Sequence, residues 1–277
     1  ADHAEKLGIP ILREFFGQQL AQELTEQGKQ ADLIVGNNVY AHVPDINDFT
    51  AGLKTLLTND GTITLEFPHL LQLIQHRQFD TVYHEHFSYL SLNSVCQIFD
   101  KEGLRVFDVE TLPTHGGSLR IYACHAGDKR STQTAVSNLL AKEKTFGLSN
   151  LSTYTGFQGY AEHIKQQLIE FLTEQKRLNK SVIAYGAAAK GNTLLNYAGI
   201  STDLLPLVVD AAASKQGKYL PGSHIPILAP DQITLKKPDF VLILPWNIAE
   251  EVMQQQSHIR EWGGQFVTVI PELQVSS

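Results

Sequence analysis

The sequence has 277 residues, 43% of them hydrophobic and 18% charged, with a net charge of -7; this length suits two compact domains rather than one core. A net negative chain without clustered Lys and Arg lacks the broad grip that nucleic acid requires, so no nucleic-acid partner is expected. No apolar run approaches the about 20 residues of a membrane span, no signal peptide is recognisable, and the two distant cysteines, Cys96 and Cys124, form neither a disulfide framework nor a metal spacing, which points to a reduced, cytoplasmic setting.

No internal repeat or low-complexity tract interrupts the chain. Ile9 to Phe16 is a short apolar segment that Gly17 ends, and Leu20 to Gln30 is a polar helix candidate. Asp32 to Gly36 is a short buried strand stopping at a turn. Asp45 opens a helix running to Leu57 as its N-cap. Asn59-Asp60-Gly61 reads as a turn feeding a strand from Thr62 to Phe67. Ser91 to Glu102 is a helix with Val95, Ile98 and Phe99 on one face and Gly103 as its stop. Leu104 to Glu110 and Ser118 to Cys124 are strands around Thr114-His115-Gly116-Gly117, an antiparallel pair at the end of a mostly parallel sheet. A polar helical connection spans residues 128–180, with Phe157, Ile164, Leu168 and Phe171 at helical spacing. Four strands then alternate with helices: Ser181 to Tyr185, Leu207 to Asp210, Phe240 to Leu244 and Gln265 to Val269. That alternation predicts a second parallel α/β sheet over residues 181–277, after a first domain over 1–127.

Three stretches carry a resemblance. The first is Asp-Leu-Ile-Val-Gly-Asn-Asn-Val-Tyr-Ala-His-Val-Pro-Asp at 32–45. The second is Asp-Thr-Val-Tyr-His-Glu-His-Phe-Ser-Tyr at 80–89, followed by Thr-His-Gly-Gly-Ser-Leu-Arg at 114–120. The third is Tyr-Gly-Ala-Ala-Ala-Lys-Gly-Asn-Thr-Leu-Leu-Asn at 185–196, with Lys215 to Tyr219 and Pro221 to Pro226 beyond it. In this order, over nearly the whole chain, they resemble the C-methyltransferases that act on nucleotide-linked 4-keto-deoxysugars. The resemblance implies a partial class I methyltransferase sheet, Rossmann-like, followed by a second Rossmann-like domain. It also implies S-adenosylmethionine as cofactor, a nucleotide sugar as substrate, and a sugar site in the cleft between the domains. The family begins with a small zinc domain made by cysteines and then a Gly-rich cofactor loop. Neither lies in this sequence, so zinc is expected only upstream. The chain would start in the helix leading to the third methyltransferase strand, with Phe15 and Phe16 after that strand. Phe16, Asn37 and Asn38 are the cofactor contacts that the resemblance implies within the chain.

Methylating a sugar carbon needs a proton removed beside a ketone and a donor for the developing oxyanion. An imidazole, with an ordinary pKa of about 6.5, accepts a proton near neutrality. By resemblance His86 is the base, Glu85 its partner or a sugar contact, and Tyr83 the polariser. His42, at the carboxyl edge of the sheet, is a second base candidate. His84, His115, Gly116, Gly117, Lys190 and Asn192 are the implied substrate contacts. In an extended segment His84 and His86 share one face and Glu85 the other, so not all of the run can meet one substrate; a solvated loop is the plain alternative. The paired glycines also suit a tight turn. The small residues at 186–189 also suit close helix–sheet packing, and match neither a Walker loop nor a dinucleotide fingerprint. By fold analogy Asp210 closes its strand where an acidic ligand contact would lie. His69 and His76 read as surface residues. A non-catalytic nucleotide-sugar binding module and a metal-dependent hydrolase built on His-x-His are the competing readings.

Overall fold

The computed structural model describes residues 1–277, the side chain of His3 excepted. It divides into two compact units. Ala1–Leu70, His86–Pro113 and Gly117–Ser149 make the first, and Leu71–Glu85, Thr114–Gly116 and Asn150–Ser277 the second.

In the first unit α1 (Asp2–Lys6) and α2 (Gln18–Glu26) precede β1 (Ala31–Asn37), α3 (Ile46–Leu56) and β2 (Leu57–Pro68). Past its first residue, α4 (Leu70–Gln75) belongs to the second unit. Then come α5 (Leu92–Lys101), β3 (Leu104–Leu112), β4 (Ser118–His125) and α6 (Thr134–Phe146). The expected N-cap forms: Asp45 Oδ1 accepts from the amides of Asn47 (3.1 Å) and Asp48 (3.0 Å); Ser91 Oγ caps α5 as well, accepting from the amide of Ser94 (3.1 Å). The strands are ordered β1-β2-β4-β3. Every second residue of β2 (Ile63, Leu65, Phe67) and β4 (Leu119, Ile121, Ala123) is fully buried, as a sheet with one covered face requires. They pack on Phe49 and Leu53 of α3, Val95 and Phe99 of α5, and Val136 and Leu139 of α6.

Three expectations need correction here. The third strand expected ahead of Phe15 and Phe16 does not form. Residues 9–17 carry no regular structure, β1 pairs with β2 alone among the described residues, and a lone extended segment has no partner for its backbone groups. The sheet is not mostly parallel within this chain: only β1/β2 is parallel, because β4 returns between β2 and β3. The turn at Asn59-Asp60-Gly61 is instead an excursion within β2. Ala31 faces Leu57 and Leu33 faces Thr62, and Arg130 donates to the carbonyls of Asp60 and Gly61, holding the looped-out residues.

The second unit has α7 (Phe157–Arg177), β5 (Val182–Tyr185), α8 (Ala189–Ala198), β6 (Val208–Val209), β7 (Ile227–Leu228), α9 (Asp231–Lys236), β8 (Phe240–Ile243), α10 (Ala249–Gln255), β9 (Gln265–Thr268) and β10 (Gln274–Ser276). Its sheet runs β10-β9-β8-β5-β6-β7, parallel except for β10, which lies antiparallel on β9. All four expected strands are present; β7 and β10 add two short ones. Val182 and Ala184 point to a core shared with α7 and α8; Ile183 and Tyr185 point to the other, shared with Ile233 of α9 and Val252 of α10. Helices on both faces of a parallel sheet, with the first strand central and the order reversing beside it, make a Rossmann-like fold. The connection expected over 128–180 is shared out: α6 packs on the first core and α7 on the second. Among the described residues no helix is long and apolar enough to cross a membrane.

Candidate functional site

In an open α/β sheet, ligands meet the carboxyl ends of the strands where the order reverses. That point lies between β5 and β8. After β5, Gly186 adopts φ 93°, and a Cβ there would come within 2.4 Å of Pro245 Cδ, in the segment after β8; only glycine allows that approach. Asp210, following β6, ties the loops together. Its Oδ2 accepts from the Ala187 amide (2.7 Å) and Lys215 Nζ (3.0 Å), and its Oδ1 from the Ala212 amide (2.8 Å). Burial pushes its carboxyl up, but the Ala212 amide, Lys215 and the Ala187 amide outweigh that and leave it below the ordinary carboxylate value. Both oxygens therefore serve the protein's own donors, which makes Asp210 a loop fastener rather than the ligand contact that fold analogy suggests.

Beside this junction opens a cavity of about 880 Å³. Ala187, Ala188, Ala189 and Asn192 form one wall. Ala188 gives α8 no side-chain cap, and the Asn192 Oδ1 atom is buried without a hydrogen-bond partner. Lys215, Lys218 and Tyr219 form a second wall, and Tyr83, His84 and Glu85 a third. The third wall is a turn, with Tyr83 half-buried and His84 and Glu85 exposed, so the extended alternation expected of this run is absent. A recess with two lysines and the start of a helix suits an anionic ligand.

Lys190, expected beside Asn192 as a ligand contact, turns elsewhere, because two residues on a helix do not share a face. Its Nζ donates to Asn247 Oδ1 (2.7 Å) and lies 4.5 Å from the Trp246 ring centroid. The Trp246 indole donates to Asp80 Oδ2 (2.8 Å). Burial lifts the Asp80 carboxyl to about 7, against the lowering effects of Trp246 and Lys190. Burial likewise lowers Lys190, opposed by Asp80. A carboxyl raised in the folded state contributes stability that is full below its ordinary value and is lost as pH rises through about 7. Urea unfolding of the wild type and of Asp80→Asn, compared between pH 4 and 8, should show the variant gaining relative stability across that interval; parallel curves would mean that Asp80 does not titrate there.

The Thr114–Gly116 turn does not line this cavity. His115 is exposed in the left-handed region (φ 57°). Gly116 lies under Trp246, where a Cβ would come within 2.3 Å of the indole, and its carbonyl accepts from Gln78 Nε2 (2.6 Å). Close packing against the protein itself accounts for glycine here, in place of the expected approach to substrate. The Gly117 carbonyl, in the first unit, accepts from the His69 amide (3.0 Å).

The first unit holds the two base candidates together. Ala41, in the turn after β1, accepts from the amides of Phe87 (2.9 Å) and Ser88 (3.2 Å). This fastening brings the rings of His42 and His86 to 4.7 Å and sets Tyr89 edge-on to His86 at 5.9 Å. Asn37 and Asn38 stand exposed where β1 ends, and Asn38, at φ 54°, donates its amide to the Glu66 carbonyl (2.8 Å). Phe16 packs edge-on against Phe49 at 5.2 Å. His76 is exposed as expected, but His69 is not a surface residue. It is 1% exposed, and its Nε2 is paired with Glu143 at 2.7 Å. Among the described residues no group of three or more His, Cys, Asp and Glu is placed to hold a metal. Sequence reasoning gave no role to Asp80, Tyr89, Lys215, Lys218, Tyr219 or Trp246. All but Trp246 lie in stretches that carry the resemblance; Trp246 had no local signal.

A family model described as a C-methyltransferase C-terminal domain matches residues 113–271, and one described as a methyltransferase domain matches residues 5–109. The C-methyltransferase NovU of Streptomyces niveus is 37% identical over 274 residues, 99% of this chain and 65% of that protein, so the chain spans just under two thirds of this relative's length. Among solved structures, an O-methyltransferase family protein from Burkholderia thailandensis shares 14% identity (46% of this chain, 39% of that one, TM-score 0.33). A SAM dependent methyltransferase from Aquifex aeolicus shares 15% (44% and 59%, TM-score 0.31). Likeness at that level carries no argument about the site.

Proposed function

Because the chain belongs to the C-methyltransferase family, whose C-terminal domain model covers more than half of it, we propose that it is the larger part of an S-adenosylmethionine-dependent enzyme that methylates a carbon of a nucleotide-linked 4-keto-deoxysugar. The observation that carries this reading is the cavity of the second unit. Lys215, Lys218 and the uncapped start of α8 suit a diphosphate there. Asn192 Oδ1 is an acceptor awaiting a donor, and the same walls carry Tyr83 and Glu85.

In this reading His86, the next residue after Glu85, removes the proton beside the ketone. His42, its ring tilted against that of His86, is the alternative base. The Tyr83 hydroxyl donates to the oxyanion that develops on the ketone oxygen, while Glu85 orients the base or holds the sugar. His84 is a further sugar contact. The bound cofactor supplies an electrophilic methyl group. Asn37 and Asn38, exposed carboxamides at the carboxyl end of a parallel strand, fit one flank of it, with Phe16 as a further apolar contact. The free cysteines Cys96 and Cys124 accord with a cytoplasmic setting.

The test is exchange of the sugar's α-proton. In deuterium oxide, with S-adenosylhomocysteine in place of the methyl donor, the full-length protein should exchange the α-proton of a nucleotide-linked 4-keto-sugar well above the buffer rate. Tight binding of the same sugar without exchange would leave a binding module.

A further inference from the structure

The switch point of the Rossmann-like sheet is where a ligand is expected, yet in this unit the protein fills it with its own side chains. Trp246, three residues past the end of β8, occupies it, with Lys190 from α8 over its ring and Asp80 on its indole nitrogen. Lys190 stands in the first turn of its helix, where the dipole disfavours a cation. The Asn247 carboxamide, the Trp246 ring and Asp80 offset that. Asp80 is 0% exposed, and its Oδ1 has no hydrogen-bond partner. Buried charges arranged in this way stabilise a fold no better than apolar side chains of the same size, so the arrangement calls for another use.

That use is visible in the chain around it. Gln78, Phe79, Asp80 and Thr81 are all buried, although three of the four are polar. Gln78 donates to the Gly116 carbonyl, Thr81 Oγ1 to the Gln78 carbonyl (2.7 Å), and Phe79 packs in the core with its ring 5.2 Å from that of Tyr197. Immediately beyond lie Val82 to Glu85, a wall of the cavity. The geometry points to Asp80 as a positioning residue: by accepting from Trp246 it clamps residues 78–81 into the switch point and so sets Tyr83, His84 and Glu85 at the cavity. Asp80 touches no ligand itself. The consequence for ligand rests on reading the cavity as the nucleotide-sugar site; the clamp itself does not.

The experiment therefore has two arms on the chain as it stands, using Asp80→Leu, Trp246→Phe and the conservative Asp80→Asn, which keeps an acceptor for the indole. In the wild type the amides of Thr81 and Val82 are bonded to the carbonyls of Gln78 and Phe79. In Asp80→Leu and Trp246→Phe their hydrogen exchange should quicken by about tenfold or more, and in Asp80→Asn it should stay near the wild-type rate. In the second arm, calorimetry with uridine and thymidine diphosphates as probes should show binding weakened by about tenfold in the same two variants, since fewer molecules hold the competent wall, and restored in Asp80→Asn. Wild-type exchange at residues 81 and 82 in Asp80→Leu, or unaltered binding in both Asp80→Leu and Trp246→Phe, would overturn the proposal. If the wild type binds neither probe, the nucleotide reading of the cavity fails, and the exchange arm alone decides the clamp.

Discussion

Replacing His86 by Asn in the full-length protein should lower turnover by about 10²–10⁴-fold, the usual worth of a positioned general base, while binding of the nucleotide sugar stays close to wild type. Asparagine keeps a hydrogen-bonding group at that place and loses the ability to take a proton near neutrality. The neighbouring ring sharpens the test. His42 lies 4.7 Å from His86, centroid to centroid, and both are fastened through Ala41 and the residues after His86. His42→Asn should therefore slow the reaction less than His86→Asn does, by disturbing the packing of the base. A reversed order would make His42 the base and His86 its support, and unchanged turnover in His86→Asn would remove it from the mechanism. Steady-state kinetics and calorimetry on the same preparations separate kcat from binding.

The second large effect is one of stability. Glu143 of α6 is 2% exposed. Its Oε1 is bonded to His69 Nε2 (2.7 Å) and to the Leu92 amide (2.7 Å), and its Oε2 to the Asn93 amide (3.0 Å). It thus serves the first turn of α5 from another helix, placing an acceptor where backbone donors have no partner of their own. Glu143→Ala leaves the Leu92 amide and an imidazole nitrogen buried and unpaired, with the Asn93 amide at the edge turned to water, and should destabilise the chain by about 2–4 kcal/mol. Glu143→Gln keeps one acceptor oxygen and should lose about 1–2 kcal/mol. Urea unfolding measures both; a loss under about 1 kcal/mol in the alanine variant would mean that water reaches these groups.

The sequence by itself determined whatever depends on near neighbours. Asp45 announced a helix start because a short polar side chain reaches amides two or three residues on. The buried run at Val182 to Tyr185 announced a strand of a two-faced sheet, since four successive apolar side chains must find cover on both sides. The resemblance rested on such contiguous stretches, and with them the family and the Rossmann-like second unit were legible.

Only the tertiary structure decided the rest, because it turns on partners distant in sequence. Nothing around His69 foretells that Glu143, 74 residues on, will bury it. Lys190 reads as a ligand contact until Trp246 and Asn247 arrive from the far side of the switch point. Asn59-Asp60-Gly61 has the composition of a turn, but Arg130 holds its carbonyls and the strand carries on past it. Gln78 to Thr81 is too polar to be read as core, and becomes so only where an indole and a glycine carbonyl supply its hydrogen bonds. Periodicity and capping act over a few residues and leave their mark in local composition. The pairing of buried polar groups is settled by chain reversal, and a buried polar residue looks like a surface residue until its partner is known.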